Sequence, residues 1–136
     1  LDLATGRVCC ANAGHHPVIQ IGHNAVREFG RASGPPVGII EEGPWYNDVT
    51  EIETGDTVVL YTDGIVEAHG SRTQEDSPGP FEEFGAARLS ECVAQLRECS
   101  PKDIIDGVNQ RVIDYCAPGR PHDDCTMIAA TYRGKA

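Results

Sequence analysis

Residues 54–67 (TGDTVVLYTDGIVE), from Thr54 to Glu67, hold a turn, an apolar run and a second turn in quick succession. Thr54-Gly55-Asp56 has the composition of a tight turn. Thr57–Thr62 (TVVLYT) is β-branched, aromatic and almost wholly apolar. Such a run reads as a strand covered on both faces, and that belongs in the middle of a layered domain. It ends at Asp63-Gly64, a second turn pair.

On the N-terminal side, residues 48–53 (DVTEIE) alternate and predict a strand. Before them Gly30–Gly38 (GRASGPPVG) is a loop, because Gly-Pro-Pro suits neither a helix nor a strand interior. Residues 7–12 (RVCCAN), 18–21 (VIQI) and 25–29 read as short strands, the first two joined by the turn-rich Ala13-Gly14-His15-His16-Pro17. On the C-terminal side, residues 70–83 (GSRTQEDSPGPFEE) lack periodicity and read as a long surface loop. Ala86–Glu98 then carries Leu89, Cys92, Val93 and Leu96 on one helical stripe. Ser100-Pro101-Lys102-Asp103 is a helix start: Ser caps, Pro suits the first position, and Asp103 meets the positive end of the dipole. Its stripe runs through Ile104, Ile105, Val108, Val112, Ile113 and Cys116, and the helix is predicted to stop before Pro118-Gly119. After a polar joint at 120–124, residues 126–132 (TMIAATY) form a last strand. Strands, two helices and a strand that must rejoin a sheet make an α+β fold, with helices packed on mainly antiparallel sheet.

The chain has 136 residues, room for one domain, and shows no internal repeat or linker. It opens on Leu1, not Met, and is expected to be a piece of something longer. With 11 basic and 21 acidic residues its net charge is −10, which speaks against nucleic-acid or anionic-membrane partners. No apolar run approaches the ~18 residues of a membrane span, and no secretion leader is evident, so a cytoplasmic location is expected. Six cysteines are spread over a chain longer than typical disulfide scaffolds, and they are expected to be reduced. Cys9 and Cys10 lie near His15 and His16, yet adjacent strand residues point to opposite faces, which disfavours a shared zinc ion.

Asp63 stands at the end of the apolar strand and Asp123-Asp124 just before the last one. Carboxylates gathered at neighbouring strand ends repel one another unless they share a proton or a hard cation such as Mg²⁺ or Mn²⁺. Asp-Gly and Asp-Asp are also ordinary turn chemistry, and spacing alone leaves both readings open.

Residues 11–17 (ANAGHHP), 34–38 (GPPVG), Gly55-Asp56, 59–67 (VLYTDGIVE), Phe84-Gly85 and 123–126 (DDCT) occur in an order that resembles the C-terminal portion of a bacterial PPM/PP2C-type protein phosphatase. The subgroup it most resembles is the SpoIIE/RsbU one, and the likeness spans nearly all of residues 1–136. The pairing of YTDG…E with DD-x-T is its specific part. The resemblance implies a PP2C-like layered sandwich of mainly antiparallel sheets flanked by helices. It also implies a metal-dependent phosphoserine/phosphothreonine phosphatase, with two Mn²⁺ or Mg²⁺ ions in the complete domain. By position Asp63 and Asp123 match metal aspartates, Gly64 the glycine that follows the first, and Asp124 a supporting residue beside the second. Glu67 recurs in the pattern and is expected to brace the segment after Asp63. His15 belongs to a turn that its own chemistry explains, and would act as a base only if it faced the metals.

The family's remaining metal acids belong to an N-terminal segment with a D-x-x-G-H-G-like motif, which these 136 residues do not contain. This chain alone is therefore expected to be inactive, with activity belonging to the parent protein. Strand edges left uncovered are expected to invite pairing with a second copy. The expected partner is a phosphorylated regulatory protein, such as an anti-sigma-factor antagonist. The rival reading is a non-catalytic interaction module that keeps the phosphatase-like fold.

Overall fold

The computed structural model describes residues 1–70 and 82–135. Most of the loop expected over 70–83 lies outside them. The chain divides into two compact units, one of Leu1–Leu60 with Ile128–Ala136, the other of Tyr61–Met127.

In the first unit, β1 (Arg7–Cys10) pairs antiparallel with β4 (Asp48–Glu51), from Arg7 opposite Glu51 to Cys10 opposite Asp48. A four-stranded sheet has the order β3 (Val26–Phe29), β2 (Val18–Ile21), β5 (Thr57–Tyr61) and β6 (Met127–Thr131). β2 is antiparallel to β3 through a tight hairpin closed by Gly22 N–H on the Ala25 carbonyl, and antiparallel to β5 with Ile19 opposite Val59. β5 and β6 are tied by Tyr132 N–H to Asp56 O at 2.9 Å and by the Thr57 and Thr131 hydroxyls at 2.7 Å. The strands thus form where the β-branched and alternating segments fall; β2 keeps its expected bounds, and the other five are shorter than expected by one or two residues in all.

The central position expected for the 57–62 strand holds, since β5 lies between β2 and β6. Its double cover does not. Thr57, Val59 and Tyr61 are buried, whereas Leu60 is 40% exposed beside β6, whose Ile128 is 59% exposed. An apolar run says that a strand suits two covered faces; it does not say that these residues supply both layers.

Beneath the sheet's turns, Asp56 is buried yet satisfied, accepting from the Gln20 side chain and from Glu53 N–H at 2.9 Å. Arg27 continues the network, donating to Gln20 Oε1 at 2.9 Å and to the Glu51 carbonyl at 2.8 Å. A buried carboxylate left without such partners would cost several kcal/mol, which is why Gly55-Asp56 is more than a turn.

The second unit contains α1 (Asp63–Val66), α2 (Gly85–Gln95) and α3 (Pro101–Cys116), with α2 packed on both of the others. Leu89, Cys92 and Val93 of α2 and Ile104, Val108, Val112 and Cys116 of α3 are fully buried, whereas Leu96 and Ile105 of the expected stripes are half-buried and Ile113 is 42% exposed. Each buried Leu, Val or Ile among them contributes roughly 1.5–3 kcal/mol of transfer free energy. α3 begins as its sequence predicts: Ser100 Oγ accepts from Asp103 N–H at 3.2 Å and Pro101 occupies the first turn. α1 was not legible as a helix; four residues including Gly and two β-branched side chains carry no helical signal.

Candidate active site

The site residues of the second unit are assembled by the meeting of two strand ends. Thr62 N–H donates to the Thr126 carbonyl at 3.0 Å, so the chain after β5 stays alongside the chain before β6. Asp63 follows Thr62 directly, and Asp123 and Asp124 lie three and two residues before Thr126.

Asp63 opens α1, and its Oδ1 accepts from Gly64 N–H at 2.9 Å. Asp123 does the same on its side, Oδ1 accepting from Asp124 N–H at 2.7 Å. Each carboxylate is thereby held by its own backbone, and its second oxygen has no partner among the described residues. Both side chains are exposed, as is that of Asp124.

Gly64 is where the two segments touch. It is buried, and a Cβ there would lie 2.6 Å from the Asp124 carbonyl oxygen and 3.5 Å from the Asp123 carbonyl carbon. No side chain fits, so the glycine permits the close approach of the two backbones. Cys125 adds a tie, its Sγ donating to the Gly64 carbonyl at 3.2 Å. Burial first, then the nearby Cys116, Asp123 and Asp124, push this thiol's pKa up, which keeps it a protonated donor.

Glu67 ends α1. It braces the turn through its backbone N–H, which donates to the Asp63 carbonyl at 2.8 Å, while its carboxylate is exposed. His15 lies in the first unit, in a turn built around Asn12. The Asn12 amide donates to the carbonyls of His15 and Gly30 at 2.9 and 2.7 Å, and its Oδ1 accepts from His15 N–H at 2.8 Å. The His15 ring donates through Nδ1 to the His16 carbonyl at 2.9 Å. Gly14 completes the turn at φ +86°, with Pro36 of the GPPVG loop where a Cβ would stand.

Three features of this second-unit site escaped sequence reading. Thr62 and Cys125 act across some sixty residues of sequence, and nothing local marks such partners. His122, directly before Asp123, stacks on His69 with ring centroids 4.3 Å apart and planes 19° off parallel.

Two exposed carboxylates with hard oxygen donors, held at one backbone contact, suit a divalent cation of the Mg²⁺ or Mn²⁺ type. Among the described residues no group of three His, Cys, Asp or Glu side chains could hold a metal.

A family model for Stage II sporulation protein E (SpoIIE) matches residues 1–133, and the chain belongs to that family. Protein IcfG of Synechocystis sp. is 30% identical over 129 residues, which cover 95% of this chain and 19% of IcfG. Phosphoserine phosphatase RsbP of Bacillus subtilis is 27% identical over 71 residues, covering 52% of this chain and 18% of RsbP. The fold is that of a PP2C phosphatase domain. A solved structure of that domain with a fragment of the regulatory domain of the cell fate determinant SpoIIE from Bacillus subtilis superposes with a TM-score of 0.74 at 21% identity, covering 96% of this chain and 35% of that one. The chain thus spans about a third of that solved chain and less than a fifth of these curated relatives.

Proposed function

We propose that the protein carrying this chain is a metal-dependent protein serine/threonine phosphatase that hydrolyses a phosphoserine or phosphothreonine of a regulatory protein, such as an anti-sigma-factor antagonist. The observation that carries this reading is the closure of Asp63-Gly64 against Asp123-Asp124, with backbone where a Cβ of residue 64 would stand. Family membership and the name phosphoserine phosphatase borne by one relative support the substrate class.

Asp63 and Asp123 would hold the cations, two Mn²⁺ or Mg²⁺ in the complete domain, with further acids from outside residues 1–136. Bound divalent cations in such a site supply a water of lowered pKa and neutralise phosphate charge. The chain's own residues set the geometry. Gly64 lets the two carboxylate-bearing segments close, Asp124 fixes the Asp123 carboxylate through its N–H, and Glu67 ties the end of α1 back to Asp63. His15 serves its turn rather than the reaction.

The protein is cytoplasmic in this reading. Among the described residues no helix is long and apolar enough to cross a membrane. The outer edges of β3 and β6 lack strand partners among the described residues, and a second copy pairs there.

The second reading is a non-catalytic interaction module that keeps the phosphatase-like fold. One experiment separates the two. The full-length protein is assayed on p-nitrophenyl phosphate and on a phosphoserine peptide, with Mn²⁺ and then with EDTA. Hydrolysis that requires Mn²⁺ is expected; no hydrolysis at saturating Mn²⁺ would leave the interaction module.

A further inference from the structure

We propose that the Thr62 hydroxyl is a positioning group that sets the Asp63 and Asp123 carboxylates relative to each other; this rests on the metal-site reading above. Thr62 is the N-cap residue of α1, with extended backbone at φ −86° and ψ 163°. A threonine there ordinarily turns its oxygen onto the N–H groups of its own helix. Thr62 makes no such side-chain bond. Its Oγ1 points instead to the other segment, accepting from Thr126 N–H at 3.0 Å and donating to the Asp124 carbonyl at 3.1 Å.

The hydroxyl's single proton and one lone pair are both committed to the stretch that carries Asp123. One end of this bridge is the residue before Asp63, and the other is shared by Asp124 and Thr126, one and three residues after Asp123. The Cys125 thiol, on the Gly64 carbonyl at 3.2 Å, is a weaker tie beside it. Sliding one segment against the other breaks both Thr62 bonds. The hydroxyl thus fixes the spacing from which two carboxylates meet a shared cation, at the expense of a helix cap. Groups hydrogen-bonded directly to metal ligands typically cost about 10–100-fold in metal affinity when removed, and Thr62, acting through backbone, is expected at the low end of that range.

The test uses the full-length protein, with Mn²⁺ binding read directly by electron paramagnetic resonance and folding by thermal melting. Thr62→Val keeps the shape and deletes the hydroxyl; Thr62→Ser keeps the hydroxyl. Thr62→Val is expected to weaken Mn²⁺ binding about tenfold, with Thr62→Ser within about twofold of wild type. A role in stability alone would lower the melting temperature of Thr62→Val and leave its Mn²⁺ affinity unchanged, which overturns the proposal. If Thr62→Val does not fold, Thr62→Ser decides, and a tenfold loss there overturns it too. A wild-type protein that binds no Mn²⁺ would refute the metal-site reading itself, and this proposal with it.

Discussion

Replacing Gly64 by alanine adds one carbon where the two aspartate segments meet. Within a helical turn, Gly→Ala ordinarily stabilises by about 0.5–1 kcal/mol. Gly64 is not among the positive-φ glycines, so backbone strain does not enter. The contact decides the sign. The new Cβ would stand 2.6 Å from the Asp124 carbonyl oxygen and 3.0 Å from its carbon, and both are backbone atoms. Reaching ordinary contact at 3.4 Å needs a displacement of about 0.8 Å. Overpacking of this kind costs about 1–3 kcal/mol. The same displacement strains the bond that the Asp124 carbonyl accepts from Thr62, worth about 1 kcal/mol. The net expectation is a loss of about 1–2 kcal/mol after the helical gain is subtracted. That corresponds to a melting temperature lower by roughly 3–8 °C. Misplacement of groups by about 1 Å can cost ~100-fold in rate, so turnover should fall by one to two orders of magnitude. Thermal melting and p-nitrophenyl phosphate turnover with Mn²⁺, on the full-length protein, measure both. A Gly64→Ala variant as stable and as active as wild type would refute the close-approach argument.

Ser100→Ala should cost about 1 kcal/mol by removing the acceptor for Asp103 N–H, and an unchanged melting temperature would show that this cap contributes nothing. All six cysteines are free, so alkylation in denaturant without reductant should label every one, while native protein should protect buried Cys92 and Cys116 and expose Cys9 and Cys99; two or more unlabelled in denaturant would reveal disulfides. The 136-residue chain by itself should hydrolyse p-nitrophenyl phosphate near background with Mn²⁺, because no three candidate ligands cluster among its described residues; robust turnover that dies with Asp63→Asn would mean its site is complete. Light scattering on the same chain should give more than the monomer mass, and a clean monomer would remove the role assigned to the open strand edges.

Much of the architecture was legible because its signals are local. α3 announces itself through Ser100, Pro101 and a stripe whose Ile104, Val108, Val112 and Cys116 are buried although Ile113 is exposed, and its end through Pro118-Gly119. β5 is legible from Val58, Val59 and Tyr61, although its face at Leu60 is less covered than an apolar run suggests. α2 ends at Gln95, before the expected Glu98, and Leu96 only caps it. At the candidate site, Asp63 and Asp123 stand out as acids at strand ends. The reason for Gly64 does not, because it lies in the Asp124 backbone sixty residues away. Thr62 is hidden for the same reason: a hydroxyl that forgoes its own helix for a distant carbonyl looks like any strand threonine. The His69–His122 stack likewise depends on tertiary placement that spacing does not encode.

The most direct test of the metal-site assignment is Mn²⁺-titrated phosphatase turnover of full-length Asp123→Asn beside wild type, with folding verified by circular dichroism. Asparagine keeps the size of the side chain and can still accept from Asp124 N–H, but it lacks the ligand charge. We expect wild-type turnover to rise and saturate with Mn²⁺, and the folded variant to stay near background at every concentration. A folded Asp123→Asn protein with wild-type turnover would contradict the assignment of Asp123 as a metal ligand.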